Sequence, residues 1–308
     1  MMDHLTPVLV GTLGAATPLV LAGLGELITE KSGVMNLGVE GMMLIGAIAG
    51  FAGSVAADGS VPAGLLAGLL AGVVAASLFA VLSLSLAANQ AACGLALTIF
   101  GFGLSSFIGQ SYVSQSLPGL PAWPVPVLSD IPYIGPVLFR QDPVVYATFG
   151  LYLVVAWVLA KSRIGLILRA VGESPEAAHS IGYPVLAIRW MATLTGGAFA
   201  GLAGAYLSTV YTPLWVQNMT AGRGWISVAL VVFAAWKPTR LLFGACLFGG
   251  VTILQFHAQG LGLDVPVELL AALPYLATIV VLVLISRDRN LLLLNLPASL
   301  GKPFLPGR

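Results

Sequence analysis

Apolar segments of roughly twenty residues, the length needed to cross a hydrocarbon core about 30 Å thick, recur along nearly the whole 308-residue chain. Charged residues make up only 8% of the sequence and stand mostly between these segments. A soluble domain carries about 25% charged residues, so this chain cannot cover a water-facing surface. Lipid offers the backbone no hydrogen-bond partner, and each segment must therefore close its own bonds as a helix. The expected fold class is all-α, a single polytopic transmembrane helical bundle over residues 1–308.

Nine spans are predicted, at residues 6–28, 34–53, 61–86, 90–110, 143–160, 186–211, 219–236, 241–258 and 267–285. The first is read as a membrane helix and not a cleaved leader. Met1-Met2-Asp3-His4 lacks a basic region, and the apolar stretch Thr6 to Ile28 is long for a signal core. Two breaks are long: the Pro-rich stretch 111–142, with Trp123 and Tyr133 at its interface, and the charged stretch 161–185. Lysine and arginine placement orients the chain. With the N-terminus outside, the inner side receives Lys31, Lys161, Arg163, Arg169, Arg189, Lys237, Arg240, Arg287, Arg289, Lys302 and Arg308, leaving only Arg140 and Arg223 on the outer side. The C-terminus is then cytoplasmic, 111–142 is an external loop, and 161–185 is a cytoplasmic one.

Several function classes find no support. A net charge of +1 gives no bulk attraction for nucleic acid. Cys93 and Cys246 lie inside apolar segments and read as two buried thiols. His4, His179 and His257 are far apart, and neither metal-ligand spacing nor a nucleophile–base arrangement is present, so no metal and no catalytic residue is expected. A Gly-x-x-x-x-Gly-Lys-[Ser/Thr] phosphate loop is also missing, so the chain is not expected to hydrolyse ATP itself.

Three passages carry the functional reading. Gly33-Val34-Met35-Asn36-Leu37-Gly38-Val39-Glu40-Gly41 opens a span with glycines, an asparagine and a carboxylate. A carboxylate inside a span costs about 2.5–3.5 kcal/mol on insertion scales and tends to be paired or to line a wet cavity; the alternative is a helix end with Glu40 near the headgroups. Asn218 to Ser227 opens another span whose uninterrupted apolar part is short. Short or Gly-interrupted segments in corresponding halves point to a transport pathway, and with the small-rich runs that follow they suggest a weak internal duplication. Asn36, Glu40, Gly41, Arg223 and Ser227 are the candidate pathway residues, with Glu40 and Arg223 placed to neutralise each other or to face a polar cavity. In the inner loop, Ser174 and Pro175 read as an N-cap and first helical residue, Glu176 favours the helix's positive end, and Gly182 ends it. A helix of one and a half to two turns, isolated by Gly172 and Gly182, is predicted there. Gly64, Ala67, Gly68, Ala71, Gly72, Ala75 and Ala76 predict close helix packing.

At these residues the chain resembles a known family. Gly33 to Leu44, Gly-Val-Met-Asn-Leu-Gly-Val-Glu-Gly-Met-Met-Leu, is similar to the signature of nucleoside and simple-sugar permeases of ATP-binding-cassette importers, within the branched-chain amino acid and ribose permease superfamily. Gly222 to Leu230 and Trp236-Lys237-Pro238 resemble the nucleoside branch, and Glu176 to Gly182 matches the EAA-x-x-x-G coupling pattern without its downstream Ile-x-Leu-Pro portion. The resemblance implies a permease of the bacterial cytoplasmic (inner) membrane that translocates a nucleoside or simple sugar. It also implies ATPase subunits that bind the ATP, a second permease of different sequence, and an extracytoplasmic binding protein. Ser174, Pro175, Glu176, Ala177, Ala178 and Gly182 become the ATPase-coupling residues. An ion-coupled secondary transporter is the rival; it requires titrating intramembrane acids, for which Glu40 is the sequence's candidate.

Overall fold

A computed structural model describes residues 2–132, 134–260 and 295–305, with Leu269, Ala272, Leu273 and Leu276. Apart from one isolated bridge, Ser116 with Leu214, the regular structure among these residues is helical. Its helices are α1 (Met2–Lys31), α2 (Val39–Ala56), α3 (Val61–Ala80), α4 (Gln90–Gly109), α5 (Ile134–Phe139), α6 (Pro143–Lys161), α7 (Arg163–Glu173), α8 (Pro175–Ser180), α9 (Val185–Tyr206), α10 (Arg223–Phe233) and α11 (Pro238–Gly260). Helices α3 and α9 each run on into a five-residue π-helical turn, Val81–Ser85 and Leu207–Tyr211.

Among the described residues, seven helical segments are long and apolar enough to cross a bilayer: Thr6–Lys31, Val39–Ala56, Val61–Ser85, Gln90–Tyr112, Pro143–Lys161, Val185–Tyr211 and Pro238–Gln259. The protein is a multi-pass helical bundle, and seven of the nine predicted spans stand as full-length helices among the described residues. At 219–236 stands α10, which at eleven residues is about 16 Å long, half the hydrocarbon thickness. Its shortness is local in origin, because Asn218, Ala221 and Gly222 take φ of 57°, 47° and 82° and coil the backbone ahead of it. The predicted span at 267–285 falls almost entirely outside the described residues.

Small residues bring the central helices together. A side chain on Gly72 of α3 would strike the Gly197 carbonyl of α9, and one on Gly201 would strike the Gly68 carbonyl. Backbones this close gain dispersion contacts that compensate for the missing hydrophobic drive between helices in lipid. Around this seam, large side chains such as Val74, Ile99, Phe107, Leu153 and Phe243 are exposed on the outside of the bundle, as a surface solvated by acyl chains requires. Cys93 and Cys246 are free and half-buried, more open than expected.

The bundle has two unlike ends. Lys31, Lys161, Arg169, Arg189 and Lys237 lie at one, the basic end, where α1 and α6 finish and α9 and α11 begin. At the opposite end the stretch 111–142 is folded, not open. It holds α5 and a 3-10 turn at Leu128–Asp130, with Trp123 and Val125 donating backbone hydrogen bonds to Gln141 and Phe139. Trp123 is exposed, and Tyr133 lies outside the described residues.

The seam predicts a sharp contrast between two glycines. Gly72→Ala should destabilise the chain by about 1–3 kcal/mol, the usual cost of overpacking. Gly103→Ala on α4, where an added carbon meets nothing within 4 Å, should leave the melting temperature in detergent unchanged or slightly raised.

Candidate functional site

Two interrupted stretches of chain meet inside the bundle. In the first, α1 ends at Lys31 and residues 32–38 continue without helix until α2 begins at Val39. Their polar backbone groups are bonded by other elements. The Met35 N–H donates to Gln90 Oε1 (2.8 Å), the Asn36 N–H to Glu26 Oε1 (3.2 Å), and Thr98 Oγ1 donates to the Leu37 carbonyl (3.2 Å). Asn36 folds its own turn by accepting the Gly38 N–H at 2.9 Å, and its amide donates to Met42 Sδ at 3.6 Å. The second stretch, after Tyr211, ends in a tight turn in which the Ala221 and Arg223 N–H groups donate to the Asn218 and Thr220 carbonyls.

Glu40 joins them. Its Oε1 accepts from Thr220 Oγ1 (2.6 Å) and the Gly222 N–H (2.9 Å), and its Oε2 accepts from the Gly224 N–H (2.6 Å). The carboxylate thus occupies the N-terminus of α10, where unpaired N–H groups and the helix dipole favour negative charge. Charge-assisted bonds of this kind offset the insertion cost of a buried acid. Glu40 is 5% exposed. Helix α10 carries the chain about 16 Å from the junction to the basic end, so the junction lies well inside the bundle. From the junction α2 leads to one end of the bundle and α10 to the other.

The remaining predicted pathway residues surround this junction in different ways. Arg223 is half-buried, and its Nη1 donates to the Met219 and Thr220 carbonyls at 3.0 and 3.3 Å. Arg223 and Glu40 are both held by the Thr220–Gly224 turn. Gly41 faces α4, where an added carbon would meet Thr98 Cα at 2.7 Å. Ser227, fully buried, donates to the Arg223 carbonyl at 2.8 Å and approaches the Leu19 carbonyl of α1 at 3.5 Å.

Sequence reading missed a second acidic layer. Glu26 and Glu30, one turn apart on α1, are 1% and 2% exposed, so Glu40 is not alone among buried acids. Trp236 Nε1 donates to Glu30 Oε2 at 2.5 Å, fixing the far end of α10 to α1. Among the described residues, Glu26 Oε2 and Gln90 Nε2 are buried without a hydrogen-bond partner. The available signal was two carboxylates at i, i+4 in the last turns of an apolar span, just before a Ser-Gly break.

The inner loop holds two helices where one was predicted. Helix α7 runs through Gly172 to Glu173, so Gly172 isolates nothing; it is small because the Lys31 carbonyl packs on it. The break comes at Ser174, which caps α8 by accepting the Ala177 N–H at 3.4 Å, with Pro175 as first helical residue and Glu176 in the first turn. Gly182 follows with φ of 94°, a conformation glycine takes without strain. Pro175 and Ala178 are buried against the bundle, whereas Glu176, Ala177, His179, Ser180 and Ile181 are exposed.

Comparison with known proteins gives this arrangement a family. The description "Branched-chain amino acid transport system / permease component" matches residues 8–285. The chain belongs to this permease family. Among similar proteins, the "Putative glucose ABC transporter permease protein TsgC13" of Haloferax volcanii is 42% identical, over 91% of this chain and 92% of its own. The "Nucleoside ABC transporter permease protein NupC" of Lactococcus lactis is 33% identical over 87% and 89%, and the "Guanosine ABC transporter permease protein NupQ" of Bacillus subtilis 30% over 96% of each chain. The first and last of these organisms also have a second, less similar glucose or guanosine permease, 29% and 26% identical to this chain. The permease is therefore a transport subunit of an ATP-binding-cassette system and not an enzyme.

The junction makes a testable statement about charge. Glu40→Ala leaves the Thr220 hydroxyl and two buried N–H groups unpaired, at about 1–3 kcal/mol each, and should lower the melting temperature of the purified permease markedly. A double reversal, Glu40→Arg with Arg223→Glu, should rescue neither stability nor uptake relative to the single changes; rescue would mean that the two charges act as a direct pair.

Proposed function

We propose that this chain is one of two different membrane-spanning subunits of an importer for a neutral, polyhydroxylated solute, a nucleoside or a simple sugar. The observation that carries this reading is the meeting of two interrupted segments inside the bundle around Glu40, a geometry suited to a polar path through lipid. Both charges at the junction are engaged by their own chain, which leaves hydrogen bonding and not ion pairing as the means of solute contact. Glucose and guanosine, named for relatives of this permease, share a hydroxyl-bearing ring and no net charge. Asn36, Glu40, Gly41, Arg223 and Ser227 build the wall of the path in this reading, and the unpartnered atoms of Glu26 and Gln90 add polar capacity beside it.

Energy comes from partner ATPase subunits, which bind the ATP; this chain brings no cofactor of its own. The docking element is α8, with Ser174, Pro175 and Gly182 shaping it, Ala178 seating it, and Glu176 and Ala177 presented outward. The lysine and arginine distribution supports a cytoplasmic position for this end, an external N-terminus and residence in the inner membrane. The paired permeases of relatives support a second permease of different sequence, and an extracytoplasmic binding protein delivers the solute.

The deciding experiment reconstitutes the complex with its ATPase and binding protein and screens solutes for stimulated hydrolysis and uptake. Nucleosides or simple sugars should stimulate and branched-chain amino acids should not. Stimulation by amino acids alone would overturn the solute class, and uptake without the ATPase would favour the ion-coupled rival. Within the same complex, Ser180→Pro breaks α8 at a local cost of about 3 kcal/mol. Uptake should fall by an order of magnitude or more while ATP hydrolysis and membrane insertion persist; normal coupled uptake would count against docking through α8.

A further inference from the structure

Among the described residues, a fully buried arginine is a cation that the path does not use. Arg189, 1% exposed near the start of α9, spends its guanidinium on three separate partners. Nε donates to the Ser32 carbonyl at 3.1 Å, Nη1 to the Lys302 carbonyl at 3.0 Å, and Nη2 to Ser299 Oγ at 2.9 Å. Ser299 in turn donates to the Gly172 carbonyl of α7 through both its hydroxyl (2.6 Å) and its N–H (3.0 Å), and the Gly301 N–H donates to the Gly33 carbonyl at 3.1 Å. Three residues beyond Gly301 on the same segment, Phe304 packs with Ala178 of α8, Val171 of α7 and Val185 of α9, and its ring meets His179 edge-on with centroids 5.6 Å apart.

The contacts at Gly172 and Gly33 leave no room for a side chain. A carbon added to Gly172 would collide with the Lys31 carbonyl, and one added to Gly33 would collide with Ser299 Oγ and come within 2.8 Å of Arg189 Nη2. Close-packed protein of this kind shifts as a body and does not compress. The segment 299–304 touches α8 at one end and the start of the 32–38 stretch at the other. From Ser32 and Gly33 that stretch leads within three residues to Asn36 and its bond to Glu26, and then to Glu40.

We propose that Ser299 to Phe304, pinned by Arg189, is the rod through which displacement of α8 reaches the interrupted stretch 32–38 and the junction at Glu40. Arg189 is a positioning residue in this scheme, and Phe304 is the contact that receives the motion. The proposal rests on α8 being the ATPase-docking element, so its test separates the two.

In the assembled complex, with Cys93 and Cys246 replaced by serine, Leu37→Cys reports the stretch through thiol labelling with and without ATP, and Ala177→Cys reports docking through crosslinking to the ATPase. The parent should crosslink and show a severalfold nucleotide-dependent change in labelling. Arg189→Gln and Phe304→Ala should each keep the crosslink and lose most of that change, with Arg189→Lys intermediate because one ammonium cannot span three acceptors. Phe304→Ala serves where Arg189→Gln fails to assemble. Undiminished nucleotide-dependent labelling in an assembled Arg189→Gln or Phe304→Ala complex overturns the rod. Absence of the crosslink in the parent overturns the docking role itself, and the rod with it.

Discussion

A helix interrupted inside hydrocarbon needs an acceptor for the N–H groups it exposes, and an acid inside hydrocarbon needs donors. Glu40 and the turn ahead of α10 answer each other's deficit, through three hydrogen bonds from Thr220, Gly222 and Gly224. Without the carboxylate, α10 would start with unpaired groups inside the bundle; without the turn, the carboxylate would be a costly intruder. The same logic holds the stretch before α2, where Gln90, Glu26 and Thr98 replace the bonds a continuous helix would have made for itself. The irregular centre of the permease is possible because side chains from α1, α2 and α4 act as its backbone partners.

What could be read in the sequence was what short-range chemistry dictates. The small-residue seam of α3, the Ser174–Pro175 start of α8 and the Gly182 stop each depend on neighbours within a few residues, and each stands where it was expected. Bonds across long separations could not be read. Nothing near Glu40 in sequence points to Thr220, 180 residues away. Arg189 looked like one more inner-side cation, because the acceptors that bury it come from residues 32, 299 and 302. Gly172 carried the wrong meaning for the same reason: a glycine in a helix looks like a break until the Lys31 carbonyl is seen against it. The 219–236 stretch was hydrophobic enough to be taken for a span, and only the left-handed backbone at Asn218 and Ala221 makes it half of one.

The motifs that mark the family are best understood as parts of the junction. Asn36 spends its carbonyl on its own turn, Gly41 is small because α4 lies against it, Glu40 holds α10, and Ser227 ties α10 to its own first turn beside α1. Residues committed in this way build an interrupted, satisfied backbone and have little bonding capacity left to tell one solute from another. In the proposed path, discrimination falls to groups whose hydrogen-bonding capacity is not already spent. Glu26 Oε2 and Gln90 Nε2 are two such groups, placed on the residues that hold the interrupted stretch in position. A solute bonding to them would also bear on the geometry of that stretch, so recognition and movement would share the same few atoms.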